Sequence, residues 1–366
     1  MDSKQWQRVL VLQTSFLGDT VLTLPLLIEI RRRLPAAYLG VLCSPLGREL
    51  LAHVPAIDEI IIDDKRGMHK GWRGMWRIAM VLKQKAFTVA LTPHKSLRSA
   101  LLLTLARIPH RVGFCQSKGG FLFHQRVNRD SQRHDVERNL SLLEVLGVKP
   151  EDCDRELRLT VSSPIRESVT ERLRTFGAHP EKTIVAVNPG SVWPTKRWLP
   201  EGFAEVIKLI KLQYDCEVWL IGGPEDADVV AKIQKLCGDA AINLAGKLTL
   251  AELPAALGLC CVLITNDSGP MHIAVACSLP TVAVFCATTP ELGFYPYSDR
   301  SVVIEKSLPC RPCSSHGGLR CPLGTEACIR LVEPQHVFRA VEGLLARSQQ
   351  FHNPVPSGYN PARLTL

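Results

Sequence analysis

The 366-residue sequence lacks several features that would decide its class at once. It has no run of roughly 18 consecutive apolar residues, the length that a membrane-spanning helix requires. Its beginning, MDSKQWQRVLVLQ, lacks the basic, apolar and small-residue order of a secretion signal, so we expect a cytoplasmic protein. The 13 cysteines are odd in number and several lie in apolar runs, which favours reduced thiols over a disulfide framework.

Several catalytic and nucleotide-binding motifs are also missing. No segment reads G-x-G-x-x-G after a strand or G-x-x-x-x-G-K-[ST], which disfavours dinucleotide and P-loop chemistry. Neither H-E-x-x-H nor G-x-S-x-G occurs, which disfavours zinc-protease and α/β-hydrolase chemistry. No compact stretch interleaves aromatic with basic residues, so we expect no nucleic-acid partner; a nucleic-acid-binding protein is an alternative that DNA titration would test.

Positive charge is concentrated in the first half of the chain. The formal net charge is +9, and residues 1–150 carry 23 Lys and Arg against 12 Asp and Glu. Residues 151–366 carry 21 against 23 and are nearly neutral. This asymmetry indicates an anionic partner for the first half, such as a phosphorylated substrate, nucleic acid or an anionic membrane. The alternative is that the charge serves solubility alone.

Short apolar runs alternate with longer amphipathic stretches along most of the chain. Strand-like runs recur, for example at 8–13, 38–43 and 87–92 in the first half and at 183–188 and 281–285 in the second. This alternation is typical of parallel βαβ units whose sheets are buried on both faces. Two such series predict an α/β protein with two Rossmann-like, doubly wound domains facing a central cleft. Ligands of such sheets bind at the carboxyl ends of the strands.

The stretch TNDSGPMHIAVA, residues 265–276, joins an apolar strand to a helix through a short polar turn. Pro270 suits the first helical turn and Gly269 leaves neighbouring amides uncovered, so the helix start is suited to an anion. Asp267 is better suited to sugar or ribose hydroxyls than to phosphate. His272 either donates to a phosphate or satisfies its hydrogen bonds internally. Ordinary helix capping is the alternative for the whole turn.

Acidic residues follow two other strands. In QTSFLGDTVLTLP, residues 13–25, Asp19 is either a general base that the helix start keeps ionised or an N-cap. In IGGPEDAD, residues 221–228, paired glycines allow a ligand to approach the backbone closely. Glu225 in that loop either accepts hydrogen bonds from ribose hydroxyls or lies on a helix N-terminus without contacting a ligand.

The loop NPGSVWPTKRW, residues 188–198, carries a hydroxyl and two cations beside backbone amides. Ser191, Lys196 and Arg197 together suit a phosphate group. The alternative is a solvated basic loop. Together with the preceding turns, this loop predicts that the second domain binds a nucleotide diphosphate through its loops and one helix start. The first domain is expected to supply an acid.

These motifs resemble those of bacterial ADP-heptose:lipopolysaccharide heptosyltransferases, glycosyltransferase family 9, which have the GT-B fold. TNDSGPMHIAVACSLPTVAVF is similar to that family's most specific motif, and NPGSVWPTKRWLPEGFAEVI, LIGGPED, NLAGKLTLAELPAAL and LQTSFLGDTVLTLPLL match in order and spacing. The sequence is most similar to the heptosyltransferase II branch. The resemblance implies an inverting transfer of heptose from ADP-heptose to the lipopolysaccharide inner core. Another GT-B glycosyltransferase, or a nucleotide-sugar epimerase, is the alternative.

The resemblance also implies a role for each motif residue. Asp19 deprotonates the acceptor hydroxyl, and Lys196 faces the donor diphosphate and sugar as the second catalytic residue. Glu225 contacts the ribose, and Asp267 contacts the donor sugar. The other donor-binding residues are Ser191, Ser268, Gly269, His272 and Thr288, and Arg98 is the candidate for acceptor binding. The family often has Gly-Pro before the threonine, whereas this chain has Cys286-Ala287, so phosphate contacts there are open. No metal is required.

The same reasoning divides the chain into segments. Residues 1–165 are expected to form the acceptor-binding domain, 166–182 a linker and 183–335 the domain that binds ADP-heptose. Residues 336–348 are expected to form a C-terminal helix and 349–366 a loose tail. Closure of the two domains is expected to bring the base to the donor and to exclude water.

Four cysteines near the end of the second domain have the spacing C-x2-C-x7-C-x6-C. Four thiols in so short a stretch either form a zinc site or are reduced thiols that pack the loop. Unlike the paired knuckles of a zinc ribbon, the two later gaps are long. The cysteines are Cys310, Cys313, Cys321 and Cys328.

Residues 65–85, KRGMHKGWRGMWRIAMVLKQK, carry seven Lys and Arg and no acid. Trp72, Trp76, Ala79 and Leu82 fall near helical spacing, so we expect them to form a core-facing stripe. The basic residues are then free to contact the anionic inner-membrane surface beside the lipid acceptor.

Overall fold

The computed structural model describes residues 6–52, 54–348 and 359–366. The chain divides into two compact units, Met1–Leu157 and Arg158–Leu366, and each is built on one parallel sheet with helices between the strands. No helix among the described residues is long and apolar enough to cross a membrane.

The first unit has a six-stranded sheet with the order β3-β2-β1-β4-β5-β6. Its strands are β1 (Arg8–Gln13), β2 (Tyr38–Cys43), β3 (Glu59–Ile62), β4 (Val89–Thr92), β5 (His110–Phe114) and β6 (Gln125–Val127). Its helices are α1 (Leu17–Val21), α2 (Leu24–Arg33), α3 (Pro45–Leu51), α4 (Gly71–Gln84), α5 (Leu97–Leu105) and α6 (Asp135–Leu140).

The second unit has a seven-stranded sheet with the order β13-β12-β11-β10-β7-β8-β9. Its strands are β7 (Ile184–Asn188), β8 (Glu217–Leu220), β9 (Ile242–Asn243), β10 (Val262–Asn266), β11 (Thr281–Phe285), β12 (Ser301–Glu305) and β13 (Ala362–Thr365). Its helices are α7 (Ser163–Thr175), α8 (Pro200–Gln213), α9 (Ala227–Cys237), α10 (Leu253–Leu257), α11 (Gly269–Ala276), α12 (Ala327–Arg330) and α13 (Pro334–Ser348).

The central strands are buried along their length because helices cover both faces of each sheet. Every residue of β7, β10 and β11 is buried, which matches their continuous apolar sequences. In both sheets the chain order reverses around the first strand of the unit, as in a Rossmann fold. The predicted fold class, two doubly wound α/β units of the GT-B type, is confirmed.

The predicted linker and tail are wrong in part. Residues 163–175, most of them inside the predicted linker 166–182, form helix α7, because Val169 and Leu173 give it a buried stripe. The tail predicted over 349–366 contributes the edge strand β13, which pairs in parallel with β12. Residues 349–358 of that tail lie outside the described residues.

Helix α4 faces the core with a different stripe from the one predicted. Met75, Ile78, Ala79 and Leu82 are buried, and they pack with β1 and β4 residues in the core of the first unit. Trp72 and Trp76 are exposed, so the prediction that they belong to the core is wrong. The cause is the helical period, because the predicted and the observed stripes overlap and share Ala79 and Leu82.

Candidate functional site

The turn after β10 presents an uncapped helix start in the second unit. Helix α11 begins at Gly269, and Pro270 occupies its first turn, where the missing N–H costs nothing. Ser268 is the N-cap residue, but its hydroxyl makes no capping bond and instead contacts Thr265 Oγ1 at 3.2 Å and Asn188 Oδ1 at 3.4 Å. The first amides of α11 are therefore left to a ligand, and an anion is the group they favour.

Three residues predicted from separate motifs meet beside this helix start. The Lys196 ammonium lies 2.6 Å from Asp267 Oδ2, and the Thr288 hydroxyl donates to the same oxygen at 2.6 Å. The side chains of Lys196 and Asp267 are only 14% and 6% exposed. Because an ammonium has several N–H donors, Lys196 can bind Asp267 and still donate to a ligand. The three residues form a compact acid–cation cluster, which we call the Lys196 cluster.

His272 lies one helical turn inside α11 and is buried. Burial, opposed by the charge of Asp267 and aided by that of Lys196, lowers the pKa of its imidazole to about 4. The ring is therefore neutral at pH 7 and cannot contribute a positive charge. Its Nδ1 is buried without a hydrogen-bond partner among the described residues, so the internally satisfied alternative is wrong for this atom.

The loop after β7 is held by asparagines that the sequence reasoning missed. Asn266 Oδ1 accepts from the Trp198 N–H at 2.9 Å, and its Nδ2 donates to the Pro189 carbonyl at 2.7 Å. Ser191 donates to the Asp267 carbonyl at 3.3 Å, which joins this loop to the turn before α11. The feature of the sequence that could have indicated this role is Asn266, a polar residue at the end of the otherwise apolar strand β10.

Glu225 lies apart from the Lys196 cluster, on the 3-10 turn after β8. It is exposed and makes no hydrogen bond or ion pair with another described residue. Its neighbour Asp226 is buried, accepts the Gly223 N–H at 3.1 Å, and fills the space beside Gly190 and Gly222. The glycines therefore make room for a carboxylate of the protein as well as for a close ligand.

A buried arginine, also missed, ties the cysteine-rich segment to the end of β11. The Arg311 side chain is 2% exposed and pairs with Glu305 at 3.1 Å. Its guanidinium donates to the carbonyls of Phe285, Cys286 and Thr288, the last at 2.6 Å. This arrangement fixes the loop that carries the Thr288 hydroxyl.

The same segment covers part of Lys196. Gly317 has a φ of +85°, and a Cβ placed there would lie 2.8 Å from the Lys196 Cγ. Thr195 accepts the Gly318 N–H at 2.7 Å. Only glycine fits this combination of backbone angle and close approach, so residues 317–318 pack directly on the aliphatic part of the catalytic candidate.

All 13 cysteines are free thiols, including the four of the predicted zinc site. Within the described ranges, no three His, Cys, Asp or Glu side chains lie close enough together to hold a metal ion. Backbone N–H groups, that of Glu326 first, lower the pKa of the Cys321 thiol, whereas burial raises that of Cys328 to about 11.

In the first unit, Asp19 lies in the first turn of α1, at the carboxyl end of β1. It is the third helical residue and not the N-cap, and its Oδ2 accepts the N–H of the N-cap residue Phe16 at 3.1 Å. Burial, followed by the negative charge of Asp135, raises the pKa of the Asp19 carboxyl to about 6. The carboxylate is thus ionised at pH 7 but is a stronger base than an ordinary aspartate.

Arg98 is engaged inside the first unit. Its Nη2 donates to Asp63 Oδ1 at 2.9 Å and to the His69 carbonyl at 3.1 Å. Its Nη1 is buried and has no hydrogen-bond partner among the described residues. The nearby Lys65 ammonium donates to the Thr14 carbonyl at 2.7 Å. The carboxyl ends of β1 and β3 are therefore lined by cations next to the Asp19 turn.

Comparison with known proteins gives a consistent result. The family model of glycosyltransferase family 9 (heptosyltransferase) matches residues 75–320. Lipopolysaccharide heptosyltransferase 2 of Salmonella typhimurium is 28% identical over 81% of this chain and 88% of its own length. The crystal structure of a family 9 glycosyl transferase from Veillonella parvula superposes with a TM-score of 0.83, at 26% identity, over 93% of this chain and 98% of that one. For E. coli ADP-heptose lps heptosyltransferase II the TM-score is 0.76, at 25% identity, with 93% and 99% covered.

Proposed function

Because this chain belongs to glycosyltransferase family 9, the heptosyltransferases, we propose that it transfers heptose from ADP-heptose to the inner core of lipopolysaccharide with inversion. The observation that carries the proposal is the Lys196 cluster beside the uncapped start of α11. Both lie within the region that matches the family. This cluster offers a cation, free amides and a carboxylate to one ligand, and a nucleoside diphosphate linked to a sugar has the complementary groups.

On the donor side, the bond between heptose and ADP breaks and negative charge grows on the diphosphate. Lys196 and the amides of Ser268 and Gly269 stabilise that charge, since they are fixed before the reaction begins. His272 is neutral, so it acts as an N–H donor or acceptor and not as a cation. Ser191 lies on the adjoining loop, where its hydroxyl can turn to a phosphate oxygen.

Asp267 has a second task in this proposal. Its Oδ2 is occupied by Lys196 and Thr288, whereas its Oδ1 has no hydrogen bond from another described residue. A carboxylate oxygen in this position accepts a sugar hydroxyl well. Thr288 therefore acts through Asp267, and Glu225 is exposed and suited to accept ribose hydroxyls.

On the acceptor side, Asp19 takes the proton of the attacking hydroxyl. Its raised pKa makes it a better proton acceptor, since general bases work best when their pKa lies near the working pH. Arg98 and its cationic neighbour Lys65 suit the acidic sugars and phosphates of an inner core. This surface explains why the basic excess of the chain lies in its first half.

The lipid-anchored acceptor places the enzyme beside a membrane. We infer peripheral association with the cytoplasmic face of the inner membrane, because residues 65–85 carry seven basic residues and no acid. Several of these cations are exposed on helix α4. Anionic headgroups are the complementary partner.

A transfer assay tests the function. Incubation with ADP-heptose and lipopolysaccharides of graded core length should give a heptosylated product from one core length and release ADP with it. UDP-sugars should give little or no product. Conversion of the sugar nucleotide to an isomer without any acceptor would instead establish the epimerase alternative, and transfer from UDP-sugars would establish another GT-B glycosyltransferase.

Metal analysis tests the four cysteines separately. We expect reduced thiols, with less than about 0.2 zinc per chain in protein purified without chelator, because zinc needs ligands that converge on one point. Thiol titration under denaturing conditions should then find all 13 cysteines free. A content near one zinc per chain would contradict this expectation and establish the predicted zinc site.

A further inference from the structure

Helix α4 carries an exposed face of aromatic and basic side chains. The side chains of Trp72 and Trp76 are 59% and 49% exposed, and Met68 in the preceding turn is 71% exposed. Trp72 and Trp76 are four residues apart, so they lie one above the other on the helix. At about 100° per residue, they lie roughly 120° around the helix axis from the buried Ile78 and Leu82. Large exposed aromatic side chains in one patch mark an interaction surface.

The cations of this face are available. Arg73 and Arg77 directly follow Trp72 and Trp76 in the sequence, so the statement that no compact stretch interleaves aromatic with basic residues is wrong for this helix. Arg77 donates to the Met68 carbonyl at 3.5 Å, which joins the turn to the helix face. Within the described residues, no ion pair involves Arg73, Arg77 or the exposed Lys70. By contrast, Lys85 at the helix end is paired with Glu59. We call Met68, Lys70, Trp72, Arg73, Trp76 and Arg77 the α4 face.

We propose that the α4 face is an interfacial anchor that inserts its tryptophans into the headgroup region of an anionic bilayer. Tryptophan favours this region because its ring is apolar while its N–H needs a polar partner. Arginines without an ion pair on the same face meet anionic headgroups, and residues 65–85 themselves contain no acid. A protein partner of mixed charge would require acidic residues here as well.

This inference rests on the proposed function only for its choice of a lipid acceptor. It differs from the charge contact described above because it assigns the binding energy to inserted aromatic rings as well as to cations. The two contributions are separable. Charge attraction weakens with salt, whereas the insertion of apolar surface does not.

Vesicle flotation with the full chain tests the proposal. The probes are phosphatidylcholine vesicles with and without about one-third phosphatidylglycerol, and only the anionic vesicles should bind the wild type tightly. Trp72→Ala/Trp76→Ala should lower the partition coefficient at least about tenfold at every salt concentration, since two rings lose their burial. Arg73→Gln/Arg77→Gln should lower it about 10- to 30-fold at low salt and much less at high salt.

Matched controls come from the second unit. Leu212 and Leu236 are exposed apolar residues on α8 and α9, and Lys208 and Lys235 are exposed cations on the same helices. Leu212→Ala/Leu236→Ala and Lys208→Gln/Lys235→Gln should bind vesicles like the wild type. Thermal midpoints should be unchanged for all four double variants, because the residues are exposed.

Several results would overturn the proposal. One is wild-type vesicle binding by the tryptophan variant. Another is self-association of the wild type through the tryptophans. In that case light scattering would give a lower mass for the tryptophan variant than for the wild type, while the two proteins would bind vesicles equally. Because flotation needs no sugar nucleotide, a chain that binds vesicles through the α4 face but transfers no heptose would contradict the proposed function alone. Transfer to a lipid-free core acceptor should be equal in wild type and tryptophan variant.

Discussion

Replacing Asp19 by asparagine should lower kcat by about 100-fold or more, because the amide cannot accept the proton of the attacking hydroxyl. The change keeps the size of the side chain and its role in α1, since an amide oxygen can accept the Phe16 N–H as the carboxylate does. ADP affinity should stay close to that of the wild type, because Asp19 belongs to the first unit and the Lys196 cluster to the second. Steady-state kinetics and calorimetric titration with ADP measure the two quantities.

Stability provides the control for Asp19→Asn. Folding raises the pKa of this carboxyl from 3.8 to about 6, so its contribution to stability falls as the pH rises between these two values, and the full cost is present above about pH 6. Asparagine removes that cost, and the thermal midpoint at pH 7.5 should be equal to or higher than that of the wild type. Glu201→Gln, a first-turn acid of α8 that pairs with Lys232, is the matched variant and should be silent in kinetics. If Asp19→Asn kept a kcat above about one third of the wild-type value, Asp19 would be a residue that only stabilises the start of α1 and not the general base.

The pH profile of the wild type tests the same assignment without a mutation. The base works only when ionised, so kcat/KM should fall about tenfold per pH unit below an apparent pKa near 6. If the base had the pKa of an ordinary aspartate, this fall in kcat/KM would begin only near pH 4. A flat profile between pH 7 and pH 5 would contradict the role of Asp19 as the base.

Replacing Lys196 by alanine should lower kcat by about 100- to 1,000-fold, the loss that follows removal of one donor to a developing negative charge. The effect should appear mainly in kcat, because the diphosphate gains its charge only as the glycosidic bond breaks. A rise in the KM for ADP-heptose with an unchanged kcat would make Lys196 a plain binding residue. Lys232→Ala removes an exposed ion-paired lysine of the same unit and should change neither parameter.

The ion pair complicates the Lys196 variant in a way that can be measured. Alanine leaves the buried Asp267 carboxylate with Thr288 as its remaining partner, and breaking a buried pair costs about 3–5 kcal/mol. Lys196→Met/Asp267→Asn removes both charges and should recover most of the lost thermal stability. If the double variant also recovered kcat, the activity loss of Lys196→Ala would be due to instability and not to a missing donor.

The sequence was sufficient for the fold class and the family. Apolar strand-like runs predicted both sheets. The strand-ending motifs of Lys196 and Asp267, and the family resemblance for Thr288, predicted that these residues bind one ligand. The structure brings the three side chains together, and their binding role stays a prediction. The prediction of a family 9 heptosyltransferase is confirmed by the family match. These successes depend on local patterns, because residues at the ends of adjacent parallel strands necessarily meet.

Features that depend on residues distant in sequence could not be predicted. Burial is the largest cause of the raised pKa of Asp19, and the second is the charge of Asp135, which belongs to α6, more than a hundred residues later in the chain. Arg311 binds carbonyls at the end of β11, and no local pattern marks an arginine that will be buried. On α4, the wrong stripe was chosen because Ala79 and Leu82 fit two helical faces, and only packing against the sheet decides between them.

The order of strands also has a consequence during synthesis on the ribosome. β1 lies in the interior of its sheet, between β2 and β4, and β7 lies between β8 and β10. Arg8 bonds to Thr88, 80 residues later, so at about 5–20 residues per second one edge of the nascent β1 waits about 4–16 s for its partner. During that time an apolar strand edge is open to other chains. A similar wait recurs for β7, which pairs with β10, so the growing polypeptide passes twice through a stage at which an open apolar strand edge exposes it to aggregation.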